Sequence, residues 1–570
     1  MLTYKAPVEE SIFLLKNVLK IDNELIEPII HEAAKLAEEV IAPTNQHGDK
    51  TGCFYVKPGE ASEYPQVMVP QSFKEPWKQF TEGGWIGLNV PEKFGGQGQP
   101  YYLASVVNEF ISSANMAFSL YPGLTRGAIQ ALMEVGSDAF KDHYIPRMAT
   151  GEWTGTMNLT EPHCGTDLGL LKTKAVNKGN GSYEITGQKI FISCGEHDLS
   201  DNIIHLVLAR VEGAPEGVKG ISLFVVPKIL VDFSRNKVSC GSIEEKMGIH
   251  GSSTCVMNFD GATGFLLGEE NKGLQAMFIM MNEARLGVAI QGLSQSELAY
   301  QNALQYAKDR LQGRSLTGIA NPNGPADPII NHVDVRRMLL EIKSVTIPSR
   351  LLVYKAALLV DDKSEESQDI LGIMTPILKG VLTDFALEHA ITAQQIFGGH
   401  GYIREWGMEQ IVRDARITQI YEGANGIQAL DLIGRKLPKN MGRAVLTQFK
   451  IWKEILEKDM ADPTMYKWAY FADRGTNYLK TATEWLQFHA LGNPKNAGSA
   501  AYDYMKLFGL VYMAIAWLDI IRVAKDDPDM ADKLLIANFF FDRVLPQSSY
   551  LITKIMHGAD CMTELPVDKF

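Results

Sequence analysis

Residues 394–436 read QQIFGGHGYIREWGMEQIVRDARITQIYEGANGIQALDLIGRK, and this stretch decides the fold. Within it a single carboxylate, Glu422, stands between Tyr421 and Gly423, just after an amphipathic segment. Glycine has no Cβ, so Gly423 lets the backbone come close to a bound molecule. Taken alone, a Glu before a Gly is most often a surface turn residue. What changes the odds is the ordered company it keeps: QIFGGHG, then RDARI, then IYEG, then IQ.

The rest of the chain sets the frame. Its 570 residues exceed what one core can organise, so several packed domains are expected. With 46% hydrophobic and 21% charged residues it has the composition of a soluble globular protein. A formal net charge of -12 argues against nucleic acid as the main partner. The six cysteines (Cys53, Cys164, Cys194, Cys240, Cys255 and Cys561) form no CxxC pair and have no zinc-like spacing to His. Free thiols in a reducing compartment, and no metal, are expected. The opening MLTYKAPVEESIFLL lacks a basic segment before an apolar core, so it does not read as a secretory signal. The uncharged run Leu507 to Leu518, bracketed by Lys506 and Asp519, is too short to cross a bilayer and reads as a buried helix. A cytoplasmic protein without a membrane span is expected.

Periodicity divides the chain into four. Residues 1–153 are helical in pattern, with Ile29, Ala33, Leu36 and Val40 at helical spacing and an irregular excursion at 48–70. Residues 154–268 are β-rich: YEITGQKIFIS (183–193), IIHLVLAR (203–210), GISLFVVP (220–227) and SSTCVMNF (252–259) are separated by Gly, Pro and Asn. Helical period returns over 269–437, where Leu274, Met277, Phe278, Met281, Ala284 and Val288 share a face. Residues 438–570 form a further helical segment with a core stripe of Met505, Phe508, Tyr512, Ile515 and Leu518.

Helices, a β domain, helices again and the ordered motif of 394–436 resemble the acyl-CoA dehydrogenase family over roughly residues 80–437. The resemblance implies a mainly α protein with a central β domain: a helical N-terminal domain, a β-barrel or sandwich middle domain and a helical-bundle domain, here followed by a helical C-terminal extension. YKAPV near the start and IQALDLIGRKLP resemble the large bacterial branch that includes 3-methylmercaptopropionyl-CoA dehydrogenases.

The cofactor implied by that resemblance is FAD, held without a Rossmann glycine motif or a phosphate loop. GGHGY (398–402) and GGQGQ (95–99) both miss the GxGxxG spacing. MNLTEPHCGTDLG (157–169) resembles the family's flavin-facing strand and loop, which places Met157, Leu159 and Thr160 at the ring and Gly165 and Thr166 at the turn that touches flavin and acyl-CoA. GQKIFISCG (187–195) resembles the second flavin strand, with Ser193 near flavin N5 and Phe191 where many members carry Trp. Arg310 matches an Arg that pairs with the flavin pyrophosphate, a task suited to the guanidinium fork. Gln395 and Gly399 match positions touching the flavin of a neighbouring subunit, which implies a homodimer or larger assembly. One departure falls in the motif itself: the usual IYEGT is IYEGA, so Ala424 lacks the hydroxyl that would bond the pyrophosphate, and backbone donors from Gly423 to Gly426 are left to serve.

In this family the Glu of the motif is the catalytic base, so the resemblance gives Glu422 the α-proton of an acyl-CoA thioester, with FAD as hydride acceptor and trans-2-enoyl-CoA as product. Gly423 and Arg285 fall beside the substrate, and an electron-transfer flavoprotein is the implied acceptor. The rival base position on MNEARLG (281–287) is Ala284 here; its neighbour Glu283 is rotated about 100° around a helix and should point elsewhere. Two other readings compete: an acyl-CoA oxidase using oxygen, and a nucleic-acid-binding flavoprotein of the same fold. The latter calls for a basic C-terminal segment that residues 438–570 do not supply.

Overall fold

The structure, a computed structural model, describes residues 2–60 and 62–570. The chain forms two compact units, Glu32–Gly287 and Met1–His31 together with Val288–Phe570.

In the first unit, helices precede a closed sheet. The helix Tyr101–Ala114 ends at Asn115, which turns extended and accepts a bond from Phe118 N, so one residue ends one helix and caps Met116–Val135. The sheet has seven strands among the described residues. Tyr183–Ser193 pairs antiparallel with Lys174–Asn177 on one edge and Thr254–Leu266 on the other. Thr254–Leu266 leads to Ile221–Pro227, then to Asn202–Val211, which returns in parallel to Lys174–Asn177. The path closes on itself, so these strands form a barrel and satisfy one another's edges. Trp153–Asn158 lies parallel along Asn202–Val211, and Val238–Ile243 lies antiparallel on Thr254–Leu266. Ile185, Val207, Phe224, Val226, Met257 and Phe259 belong to the barrel core. Ile221–Pro227 is buried along its whole length, in keeping with a sequence that is apolar except for Ser222, whose hydroxyl accepts from Asn271 N at 2.8 Å.

Each of the four β segments read from the sequence contributes a strand here. Lys174–Asn177 and Val238–Ile243 were not legible, because KAVN is only four residues long and a bulge after Cys240 interrupts the short alternation of VSCGSI. The excursion at 48–70 contains a small antiparallel pair, Phe54–Val56 with Gln66–Met68. Three-residue strands carry no period; Val67 is nonetheless buried in the barrel cluster, which holds this pair in place.

The second unit is helical. Its longest members include Val333–Asp361, Glu365–Ile396, Tyr466–Gly492 and Pro494–Ala524. Glu365–Ile396 and Pro494–Ala524 are long and apolar enough to cross a membrane, but 72% and 83% of their apolar windows are buried inside the fold. They are the core of the bundle, and the predicted stripe Met505, Phe508, Tyr512, Ile515 and Leu518 is buried. These two helices approach closely because each offers a glycine. A Cβ at Gly380 would meet Met505 Sδ at 2.5 Å, and one at Gly509 would meet Val381 Cγ2 at 2.7 Å. Trp517, fully buried, donates its indole N–H to Ser344 O at 2.9 Å and so fastens the extension to the helix Val333–Asp361.

Candidate active site

Glu422 lies in the short loop between the helices Met408–Thr418 and Asn425–Asp431. Its φ is 54° and that of Gly423 is 86°, so two consecutive residues are left-handed. For Gly423 this costs little; for Glu422 it is an unfavoured conformation that the surroundings must hold. They do so through buried donors. Gln428 Nε2 donates to Glu422 O at 3.0 Å and to Gly423 O at 3.3 Å. Lys379, with no exposed surface, donates to Gly423 O and to Asn425 Oδ1, each at 2.8 Å. Asn425 N donates to Gln419 O at 3.0 Å and closes the neck of the loop. Tyr421 is anchored through its hydroxyl to Gln291 Oε1; burial raises its pKa, and the charge of Glu422 adds to that. The backbone of the loop is thus pinned on both sides of Glu422, while Glu422 itself is half-buried.

Ala424 is exposed and N-caps Asn425–Asp431 with its carbonyl alone, which accepts from Ile427 N at 2.7 Å and Gln428 N at 3.0 Å. A threonine there would add a side-chain oxygen to the cap. Gly426 is exposed, with open space where a Cβ would stand. Arg310 is exposed at the end of the helix Gly273–Asp309. Gln395 and Gly399, also exposed, flank Phe397, whose ring stacks on Tyr306 at 4.1 Å. The Tyr306 hydroxyl lies 2.8 Å from His400 Nδ1, so the neighbourhood of Arg310 and the turn at Gly398–Tyr402 are tied together.

The remaining predicted residues lie in the barrel unit. Met157, Leu159 and Thr160 are half-buried at and after the end of Trp153–Asn158, next to buried Thr156 and Asn158. Thr160 O accepts from Ile190 N at 2.9 Å, and Lys189 Nζ donates to Leu159 O at 2.9 Å, so the two predicted flavin segments run side by side. The join is reinforced by the fully buried Lys189–Glu161 pair at 2.8 Å. Burial pushes the Glu161 carboxyl up, but Lys189 and bonds from Thr173 and Lys172 N outweigh it and lower the pKa. The strand Tyr183–Ser193 bulges between Lys189 and Ile192, and Phe191, with φ 58°, is thrown outward and exposed; Ser193 is half-buried. Gly165 and Thr166 are exposed in the turn that begins where Glu161 and Cys164 exchange backbone bonds. Arg285 is buried, 4% exposed, with its guanidinium 5.9 Å from the Phe278 ring centroid.

Glu283 faces Arg126. Burial pushes its carboxyl from 4.5 up to about 7, and the guanidinium offsets only part of that. Between those two values the native protein keeps a proton that the unfolded chain has released, so this group subtracts stability as pH rises from 4.5 to about 7. Glu283→Gln is expected to flatten the decline: in thermal unfolding, its gain over wild type is larger at about pH 7.5 than at about pH 5. Equal gains at both would show that Glu283 titrates normally.

Four family descriptions match the chain in order: "Acyl-CoA dehydrogenase, N-terminal domain" over 27–152, "middle domain" over 156–262, "C-terminal domain" over 271–437, and "Acetyl-CoA dehydrogenase C-terminal like" over 452–566. The chain belongs to the acyl-CoA dehydrogenase family. Among relatives of this acyl-CoA dehydrogenase, 3-methylmercaptopropionyl-CoA dehydrogenase of Ruegeria pomeroyi is 43% identical over 466 residues, covering 78% of each chain. The broad-specificity linear acyl-CoA dehydrogenase FadE5 of Mycobacterium tuberculosis is 34% identical over 474 residues, 78% of this chain and 76% of its own. An acyl-CoA dehydrogenase from Bacillus anthracis, solved in complex with FAD, superposes with a TM-score of 0.76 at 22% identity, covering 94% of this chain and 88% of its own. As a family member the protein is an FAD-dependent enzyme of the same large branch as the Ruegeria relative.

Lys379, which clamps the loop, and Asp384, which accepts from Gln419 Nε2 at 2.7 Å and from the Tyr502 hydroxyl, stand in none of the sequence motifs. Lys379 did leave a signal: one lysine inside the apolar run TPILKGVL has to be either exposed or functionally paired. Gln428 was noted in the motif without its role as clamp of the Glu422 and Gly423 carbonyls.

Proposed function

We propose that this acyl-CoA dehydrogenase removes the α-proton of an acyl-CoA thioester with Glu422 and forms the trans-2-enoyl-CoA. The observation that carries the reading is the left-handed backbone of Glu422, fixed by Gln428 at its own carbonyl and by buried Lys379 at the carbonyl of Gly423. A left-handed non-glycine residue held by buried donors is the kind of backbone strain that clusters at active sites.

The donor set of the barrel unit fits a flavin. The Thr160 and Ser193 hydroxyls, the Met157 thioether and the exposed Phe191 ring combine polar edges with apolar cover, as a flat heterocycle with a polar rim requires. Arg310 would meet the pyrophosphate, with the backbone donors of Gly423, Ala424 and Gly426; Asn425 N is already committed to Gln419 O. FAD, when bound, supplies the capacity to accept hydride from the β carbon. Glu422 takes the α-proton, and its backbone N–H stabilises charge on the thioester oxygen. The family resemblance assigns Thr166, Arg285 and Gly423 to the acyl-CoA. The exposed Gln395 and Gly399 are suited to a second subunit, and an electron-transfer flavoprotein removes the electrons in the cytoplasm.

The acyl group is tested by mixing purified yellow enzyme, anaerobically, with a panel of 3-methylthiopropionyl-CoA and straight-chain thioesters from butyryl- to palmitoyl-CoA. Flavin bleaching by at least one member, with the matching enoyl-CoA formed, is the expected result; no bleaching by any would overturn the reading. Ferrocenium reduction outpacing oxygen consumption separates dehydrogenase from oxidase.

A further inference from the structure

We propose that the C-terminal extension positions the catalytic carboxylate, Tyr502 acting through Asp384 on the loop that carries Glu422. This rests on the reading of Glu422 as the base. Asp384 lies on Glu365–Ile396 and is 3% exposed. Its Oδ1 accepts from Gln419 Nε2 at 2.7 Å and from Asn425 Nδ2 at 2.9 Å. Those two residues bracket Glu422 in sequence, three positions on either side, and form the neck of its loop through Asn425 N and Gln419 O. One carboxylate oxygen therefore staples both strands of the neck.

The other oxygen belongs to the extension. Asp384 Oδ2 accepts from the hydroxyl of Tyr502, on the helix Pro494–Ala524, and Lys506 Nζ of the same helix lies 3.8 Å away. A carboxylate gripped at one oxygen can swing about its terminal torsion. Gripped at both, it is fixed in plane and its remaining bonds gain direction. The glycines Gly380 and Gly509 allow the close crossing of the two helices that brings Tyr502 within reach. Lys379, five residues before Asp384, holds Gly423 O and Asn425 Oδ1 from the same helix. Thr383 Oγ1 accepts a further bond from Asn425 Nδ2 at 2.9 Å. Beside Gln428 and Gln291, the helix Glu365–Ile396 thus supports the loop through Lys379, Thr383 and Asp384, and the extension supplies the outermost member of that set. Tyr502 is 37% exposed, so losing its hydroxyl opens no buried cavity.

Tyr502 and Asp384 are positioning residues, and the test separates placement from folding. Holoenzyme variants Tyr502→Phe, Asp384→Asn, the double variant, Glu422→Gln and the control Tyr550→Phe are compared for flavin content, KM, kcat and the rate of flavin reduction. The substrate is the thioester that bleaches wild-type flavin fastest in the panel above, together with its 2,2-dideuterated form. Tyr502→Phe is expected to keep its flavin and KM, to reduce flavin about tenfold more slowly, and to show a larger isotope effect, since misplacing a base raises the barrier of proton removal. The double variant should be no slower than Asp384→Asn, because both changes break one relay. Tyr550→Phe, at an exposed position of the extension, should match wild type. Wild-type rates and isotope effect in Tyr502→Phe would overturn the proposal, as would a slow rate explained wholly by flavin loss. Glu422→Gln reads the underlying assignment separately: if it turns over normally, the base has been misassigned whatever Tyr502 does.

Discussion

Glu422→Gln is expected to keep its flavin and its fold and to lose dehydrogenation by about 10²–10⁴-fold, the usual contribution of a positioned general base. A thousandfold loss corresponds to about 4 kcal/mol of transition-state stabilisation. The substitution is close to isosteric, and the clamps on this residue from Gln428 and on its neighbour from Lys379 act on main-chain carbonyls, so the loop keeps its shape. What disappears is the ability to accept a proton from carbon at neutral pH. Stopped-flow flavin reduction, with flavin content and unfolding midpoint measured in parallel, decides the matter. Near-normal reduction rates in this variant would sink the assignment, and Ala284 offers no substitute base at the rival position.

The second large effect is on stability. Arg350, 1% exposed on Val333–Asp361, pairs with Glu10 and donates to Glu297 Oε2 at 2.7 Å, while Lys533 pairs with the second Glu10 oxygen at 3.0 Å. The network joins the first helix of the chain, the bundle and the extension. Burial pushes the Glu10 carboxyl up, but Arg350 and Lys533 together hold it down to about 2. Arg350→Met leaves two buried carboxylates without their shared cation and is expected to cost about 3–5 kcal/mol, the range for breaking a buried pair from one side. The pH dependence has a definite sign. In wild type the depressed pKa stabilises the fold above 4.5, and that stabilisation is lost as pH falls through about 2. Without Arg350 the folded-state pKa of Glu10 rises, so the deficit of the variant narrows on acidification from neutral pH. Denaturant unfolding at several pH values checks both statements. A pH-independent deficit, or none, would show that the network contributes no net electrostatic stabilisation.

Glu161 and Lys189 show how much of the barrel site was legible in sequence. The strings TEPHCGTD and GQKIFIS pointed to two flavin segments, and the fold places them side by side. The buried ion pair that joins them is separated by 28 residues and has no sequence signature. Phe191 was legible as an aromatic in place of the usual Trp; that a bulge and a left-handed φ throw it outward was not.

By itself the sequence determined what depends on neighbours along the chain: helical and strand periods, the buried character of Leu507 to Leu518, the turn residues around Glu422 and the family order of motifs. The tertiary structure alone decided what depends on chain ends meeting. Tyr502 reaches Asp384 across 118 residues and Arg350 reaches Glu10 across 340. Such pairs follow no period, because a hydrogen bond needs only that two atoms arrive within about 3 Å, and helix packing rather than sequence spacing brings them there.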